Sequence, residues 1–155
     1  MTTTRQVRTD DDGGIRALAA LRAGWTAESS DGSLPEAVGE QFHREFAAWF
    51  EDEHRIFFLA EDESGGAIGM CNVAFFARMP RPGAPSSCWA YLANVYVVPA
   101  HRGRGVGGQL VRAAINSARA VGAVRLVTAP SERSRSLYAR HGFGAADGLL
   151  VLQST

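Results

Sequence analysis

The sequence predicts a mixed α/β domain of six strands and four helices in the order β-α-α-β-β-β-α-β-α-β. Three observations carry that reading. Apolar residues recur at helical spacing in four stretches, and short alternating or continuous apolar runs occupy six others. Clusters of Gly, Pro or Asp punctuate most of the junctions between them. At 155 residues the chain has the length of one ordinary domain, expected to span residues 1–155.

Residues 6–9 form a short first strand. Asp10, Asp11 and Asp12 supply N-cap chemistry for a first helix with Ile15, Leu18, Ala19 and Trp25 at helical spacing. Residues 26–33 read as a polar loop, and Pro35 opens a second helix with the apolar face Val38, Phe42, Phe46, Trp49 and Phe50. Residues 56–60 are a strand; Ser64, Gly65 and Gly66 turn the chain into the next one, residues 67–77. Pro80, Pro82 and Pro85 make residues 78–87 an exposed loop. Residues 89–98 alternate as a strand that stops at Pro99. Val106, Leu110, Ala114, Ala118 and Val121 line one face of a third helix, with Gly122 as its stop. Residues 124–128 are a strand, and Ser131 caps a fourth helix with Gly142 just past its end. Residues 149–152 close the sheet. The strand, helix and strand over residues 89–128 have the form of a crossover between parallel strands.

Charge is divided along the chain. All 16 basic side chains are Arg; residues 1–66 hold 14 acids against 6 Arg, a net of −8, and residues 67–155 hold 2 acids against 10 Arg, a net of +8. Such a domain suits an anion on one side and a cation on the other. The Arg residues are scattered, and the only close set, Arg133, Arg135 and Arg140, brackets a short helix, so no nucleic-acid partner is expected. Cys71 and Cys88 are too few for a disulfide scaffold and have no second Cys at zinc-ligand spacing. His43, His54, His101 and His141 lack a paired acid at ligand spacing, so no metal is expected. Residues 1–14 lack the apolar core of a secretory signal, and no apolar run approaches the roughly 20 residues of a membrane span. The expectation is a cytoplasmic protein with no membrane partner.

Residues 95–108 read Val-Tyr-Val-Val-Pro-Ala-His-Arg-Gly-Arg-Gly-Val-Gly-Gly. A strand ends, a turn follows, and four glycines lead into a helix whose first N–H groups have no intrahelical partner. Glycines admit a bulky anion close to the backbone, and Arg102 and Arg104 add charge at the rim, which makes a phosphate cradle. No Gly-Lys-Ser/Thr follows, so it is not a nucleotide P-loop, and it lacks the Gly-x-Gly-x-x-Gly spacing of a dinucleotide fold.

Within this stretch, Arg102-Gly103-Arg104-Gly105-Val106-Gly107 resembles the Arg/Gln-x-x-Gly-x-Gly/Ala signature of the GNAT superfamily of N-acetyltransferases. Residues 131–143, Ser-Glu-Arg-Ser-Arg-Ser-Leu-Tyr-Ala-Arg-His-Gly-Phe, resemble the same family's Asn-x-x-Ala-x-x-x-Tyr-x-x-x-Gly-Phe helix. The resemblance implies an α/β sheet of six or seven strands flanked by four helices, with acetyl-CoA as cosubstrate and no metal. It implies that the fourth and fifth strands splay apart to admit the pantetheine arm, which would pair with the backbone of Val95, Tyr96 and Val97. The N–H groups of Gly103, Arg104, Gly105, Val106, Gly107 and Gly108 would hold the pyrophosphate, with Arg102 in support. Ser131 stands where the family's Asn contacts pantetheine, with a shorter reach. Tyr138 matches the general acid that protonates the departing CoA thiolate.

The acceptor implied is a primary amine on a small molecule or peptide, bordered by residues 23–36, Trp25 and the loop of residues 78–87. Its general base is open. Ala93 and Leu126 occupy the positions where relatives often carry a carboxylate. Of the polar residues on the fourth strand, alternation puts Asn94 and Tyr96 on one face and Tyr91 on the other. Glu28 or Asp31, a water relay, or an amine of low pKa would also serve. A homodimer is common in the superfamily, and residues 149–152 would suit a strand shared across one. The alternative reading is an acyl-CoA-binding sensor or regulatory module with little or no turnover.

Overall fold

The computed structural model describes residues 1–30, 39–51 and 54–153. In them the chain runs β1 (Thr3–Val7), α1 (Asp12–Ser29), α2 (Glu40–Phe50), β2 (Arg55–Glu61), β3 (Ala67–Ala77), β4 (Cys88–Val97), α3 (Val106–Ala120), β5 (Arg125–Thr128) and α4 (Arg135–Arg140). Turns of 3-10 helix cover Pro99–His101 and Glu132–Ser134. Asp31, Pro35 and Val38, named above as a candidate base and as the start of the second helix, lie outside the described residues.

The sheet order is β1-β2-β3-β4-β5. The first four strands are antiparallel neighbours, and β4 pairs in parallel with β5 across the α3 crossover. The α/β architecture and the crossover are as expected, but the sheet has five strands among the described residues rather than six or seven. Residues 149–152 form no ladder, and Leu150, Val151 and Leu152 are exposed. Their apolar pattern suits a strand, but a strand exists only through a partner, and β5 pairs with β4 alone.

Local chemistry fixes the ends. Asp11 caps α1 by accepting from the Gly14 N–H at 2.8 Å, and it also pairs with Arg5 of β1. α3 stops at Gly122, whose φ of +70° lets the Ala123 N–H reach back to the Ala118 C=O at 2.9 Å. Gly142 ends α4 in the same way. The Phe143 N–H bonds the Tyr138 C=O, and the two rings meet edge to face at 5.5 Å. Ser131 precedes a 3-10 turn instead of capping a full helix, and its hydroxyl meets that of Ser134 at 3.0 Å.

α1 runs through Ser29, where the sequence suggested a loop from residue 26. The hydroxyls of Thr26, Ser29 and Ser30 each donate to the carbonyl four residues back, at 3.1, 3.0 and 2.9 Å, so these polar residues satisfy themselves on the helix. The extension carries Glu28 on α1.

Two cores sandwich the sheet. Val73, Leu92, Leu110, Val111, Ala114 and Tyr138 pack on the α3 side. Leu18, Leu21, Phe46, Phe50, Leu59 and Tyr96 pack on the α1–α2 side, where the Phe50 and Phe57 rings stack at 4.3 Å. The end of α1 is tied to β4 by a separate polar clamp. Glu28 receives two bonds from Arg102, both 2.7 Å, and one from the Tyr96 hydroxyl at 3.1 Å, while Trp25 stacks on the Tyr96 ring at 5.4 Å.

Leu110 is fully buried, so Leu110→Ala is expected to lower the unfolding free energy by about 2–5 kcal/mol in urea titrations. The Glu28 carboxyl is held below its usual range, chiefly by the hydrogen bonds from Arg102. Its stabilisation is therefore present above the unfolded carboxylate value of about 4.3 and lost as pH falls through the lower folded value. Glu28→Gln is expected to have a lower urea midpoint than the parent at pH 7, with the two midpoints converging below about pH 4.

Candidate active site

β4 changes neighbours halfway along its length. Its pairing with β5 runs from Trp89↔Arg125 to Leu92↔Thr128 and stops there. Pro130, two residues on, has no N–H to donate and disfavours a further ladder step. The Thr128 hydroxyl closes the end by donating to the Leu92 C=O at 3.0 Å. Residues 93–97 of β4 thus face a gap. The Val98 N–H donates to Ile68 on β3 at 2.9 Å, so alternation turns the N–H and C=O of Val97 toward that open edge. Val95 and Val97 pack their side chains on the α3 core, while Tyr96 is buried under α1.

The glycine loop lies past the far end of this strand. Gly103 and Gly105 have φ of +74° and +84°, the left-handed region that favours Gly, and a Cβ at either would project into open space. The first α3 bond runs from the Gln109 N–H to the Gly105 C=O at 3.1 Å. The N–H groups of Val106, Gly107 and Gly108 therefore lack intrahelical acceptors at the positive end of the dipole. Gly107 and Gly108 have a further reason to be Gly. A Cβ on Gly107 would meet the Leu137 side chain at 3.3 Å, and one on Gly108 the His141 ring at 3.3 Å, so both let α4 approach α3 closely. His141 is itself anchored by its Nδ1 on the Leu137 C=O at 2.8 Å.

The two arginines of the loop part company. Arg104 is exposed at the rim. Arg102 is turned onto Glu28, and its Nε donates to the Val97 C=O at 2.9 Å. With both carboxylate oxygens bonded and its pKa lowered by Arg102, Glu28 is a clamp and poorly suited to be a general base.

Tyr138 reaches from α4 to the closed end of the gap. It is 7% exposed, and its hydroxyl lies beside Thr128. Burial raises its pKa above the ordinary phenol value, so the proton is retained at neutral pH. Ser131 is exposed at the start of the 3-10 turn before α4. The fold thus sets Val95 and Val97 along the open edge, Gly103 to Gly108 at one end and Tyr138 at the other.

Sequence reasoning missed Thr128, which ends the β4–β5 ladder, and it missed a bulge. Met70 pairs with Tyr96 but Asn72 pairs with Ala93, so β4 carries one extra residue around Asn94. Leu92 therefore faces α3 while Tyr96 faces α1, which strict alternation forbids. Asn94 has a φ of +55°, alone among the described non-glycine residues in being positive, and its Nδ2 donates to Asn72 Oδ1 at 2.6 Å. Among the described residues no three His, Cys, Asp or Glu side chains gather as a metal site, and no helix is long and apolar enough to cross a membrane.

Solved structures share this fold. A predicted acetyltransferase with acetyl-CoA from Clostridium acetobutylicum is 21% identical with a TM-score of 0.73, covering 99% of this chain and 96% of that one. A transcriptional regulator from Bacillus halodurans is 20% identical with a TM-score of 0.74, covering 99% and 100%. AAC(6')-Iy, in complex with the bisubstrate analog CoA-S-monomethyl-acetylneamine, is 19% identical with a TM-score of 0.71, covering 100% and 99%. At these identities the likeness is one of fold. No curated protein matches the sequence. The sequence itself matches the Acetyltransferase (GNAT) family over residues 21–143, a span that runs from within α1 to the Phe143 that closes α4. With that match over most of its length and the same fold in its structural neighbours, the chain belongs to the GNAT acetyltransferase family.

Proposed function

We propose that this protein transfers an acetyl group from acetyl-CoA to a primary amine by direct attack on the thioester. The observation that carries this reading is the gap along β4, with free helix N–H groups at one end and a buried, protonated tyrosine at the other. The open-edge N–H of Val97 suits an amide of the pantetheine arm, and the backbone around Val95 and Tyr96 continues that edge. The N–H groups of Gly103 to Gly108 suit the pyrophosphate, Arg104 adds charge at the rim, and Arg102 braces the loop on Glu28 and Val97. Ser131 stands where the arm would pass α4.

In the transfer the amine nitrogen bonds to the acetyl carbon, the carbon–sulfur bond breaks, and the amine gives up one proton to solvent water. Tyr138 supplies a proton to the departing thiolate. Direct attack is favoured over an acyl-cysteine route because burial pushes the Cys71 thiol up, and its Sγ contacts the Leu110 C=O at 3.7 Å.

One observation favours the alternative of an acyl-CoA-binding regulatory module. Ala93 and Leu126 offer no carboxylate at the gap, and Glu28 is committed to Arg102. A turnover assay separates the two readings. Tyr138→Phe is expected to lower the rate of amine-dependent CoA release at least about tenfold while leaving acetyl-CoA affinity within a few-fold. Equal turnover in the variant would remove Tyr138 from the mechanism.

The cradle has its own test. Acetyl-CoA at about 100 times its Kd is expected to raise the unfolding midpoint of the parent by several degrees. Gly105→Asp places a carboxylate in open space beside the free N–H groups and is expected to abolish that shift. A folded variant with the full shift would overturn the pyrophosphate assignment.

A further inference from the structure

We propose that the cavity on the α1–α2 face of the sheet is the acceptor site, and that it selects a small monoamine carried on an aromatic or branched apolar body. Its role in transfer rests on the reading above; its binding chemistry rests on the cavity alone. The cavity holds about 360 Å³, within the size range of small-molecule sites. It extends from α1 and α2 across β2 and β3 to β4, which it touches at Asn94. Asn94 is the residue before Val95, on the stretch of β4 that has left β5. A ligand seated here lies against one face of the strand whose edge borders the gap.

The walls are aromatic: Phe42, Phe46 and Trp49 from α2 and Phe57 from β2. The polar groups are concentrated at the β4 end. Asn72 is the one buried polar side chain among the described residues, 3% exposed, and it lines the cavity together with Asn94. A single hydrogen bond of 2.6 Å joins the two amides. Whichever way the amides are oriented, that bond uses one NH2 and one carbonyl and leaves one of each for a ligand. Asn94 holds this position at a φ of +55°, in the left-handed region that Gly and Asn adopt more readily than most residues. The amide is the feature Gly would lack.

Charge narrows the class. The described lining contains one cation and one anion, Arg22 and Glu45. The Arg22 guanidinium lies 4.8 Å from the Trp25 ring centroid, and Glu45 accepts from Gln41 at 2.8 Å. A polycationic acceptor calls for several carboxylates, and a phosphorylated one calls for a basic cluster. A monoamine needs neither. Its apolar body fills the aromatic walls, and its N–H groups meet the free carbonyl of the asparagine pair.

The test measures binding separately from turnover. With saturating CoA present, calorimetry is run with 2-phenylethylamine, spermidine and glucosamine 6-phosphate. Binding of 2-phenylethylamine at least about tenfold tighter than either of the others is expected, with a loss of about tenfold or more in Asn94→Gly at unchanged CoA affinity. No binding of 2-phenylethylamine, equal binding of spermidine or glucosamine 6-phosphate, or full binding by Asn94→Gly would each overturn the assignment. CoA release from acetyl-CoA is then followed with the same amine. Binding with the expected selectivity but without CoA release would uphold the cavity and overturn the acetyl-transfer reading instead.

Discussion

The ladder between β4 and β5 ends at Leu92 and Thr128, and the site is organised around that end. Had β5 continued alongside β4, the edge of residues 93–97 would be spent on strand pairing and closed to any ligand. Pro130 removes the donor that a further step would need, and the Thr128 hydroxyl takes the last carbonyl, so the strands part without leaving it unpaired. Tyr138 lies beside Thr128, at the end of the opening where the ladder stops.

On the other face, the same strand is held by different means. The extra residue around Asn94 reverses the alternation, so that Val95 and Val97 stay on the α3 core while Tyr96 turns under α1. Tyr96 then serves as a platform for Trp25 and as a donor to Glu28. Arg102 completes the tie by bonding both Glu28 and the Val97 carbonyl, which links α1, the end of β4 and the start of the glycine loop. A movement of α1 is therefore felt at the loop that precedes α3. Every one of these bonds has an ionised partner, and those between Arg102 and Glu28 have two.

What the sequence made legible was local. The glycine turn, the Pro99 stop and the Gly122 and Gly142 helix ends each depend on residues a few positions apart, and each lies where the pattern put it. The features that escaped depend on distant partners. Glu28 and Arg102 are 74 positions apart, and nothing around Thr26, Ser29 and Ser30 signals that their hydroxyls bond back along a helix. The bulge is a mismatch between β3 and β4, invisible in either strand alone. Residues 149–152 show the converse failure, an apolar run with strand composition and no strand beside it. Tyr138 was legible as a residue, but its place beside Thr128 was not, because that depends on how α4 packs against β5.

The charge division along the chain acquires a spatial meaning from this fold. Residues 1–66 build β1, α1, α2 and β2, so the acidic half supplies both helices that wall the cavity. The basic half supplies α3, α4 and the glycine loop. At physiological salt, charges act over a Debye length of about 8 Å, so Arg104 biases anions toward the cradle, whereas α1 and α2 nearly balance, with four acids against three Arg. That field is indifferent to the shape of what it attracts. Identity is decided closer in, by aromatic walls and an asparagine pair, with Glu45 and Arg22 as the charged side chains of the described lining. An interior walled by aromatic rings favours an amine that can shed its charge on entry, which is what it must do before it can act as a nucleophile.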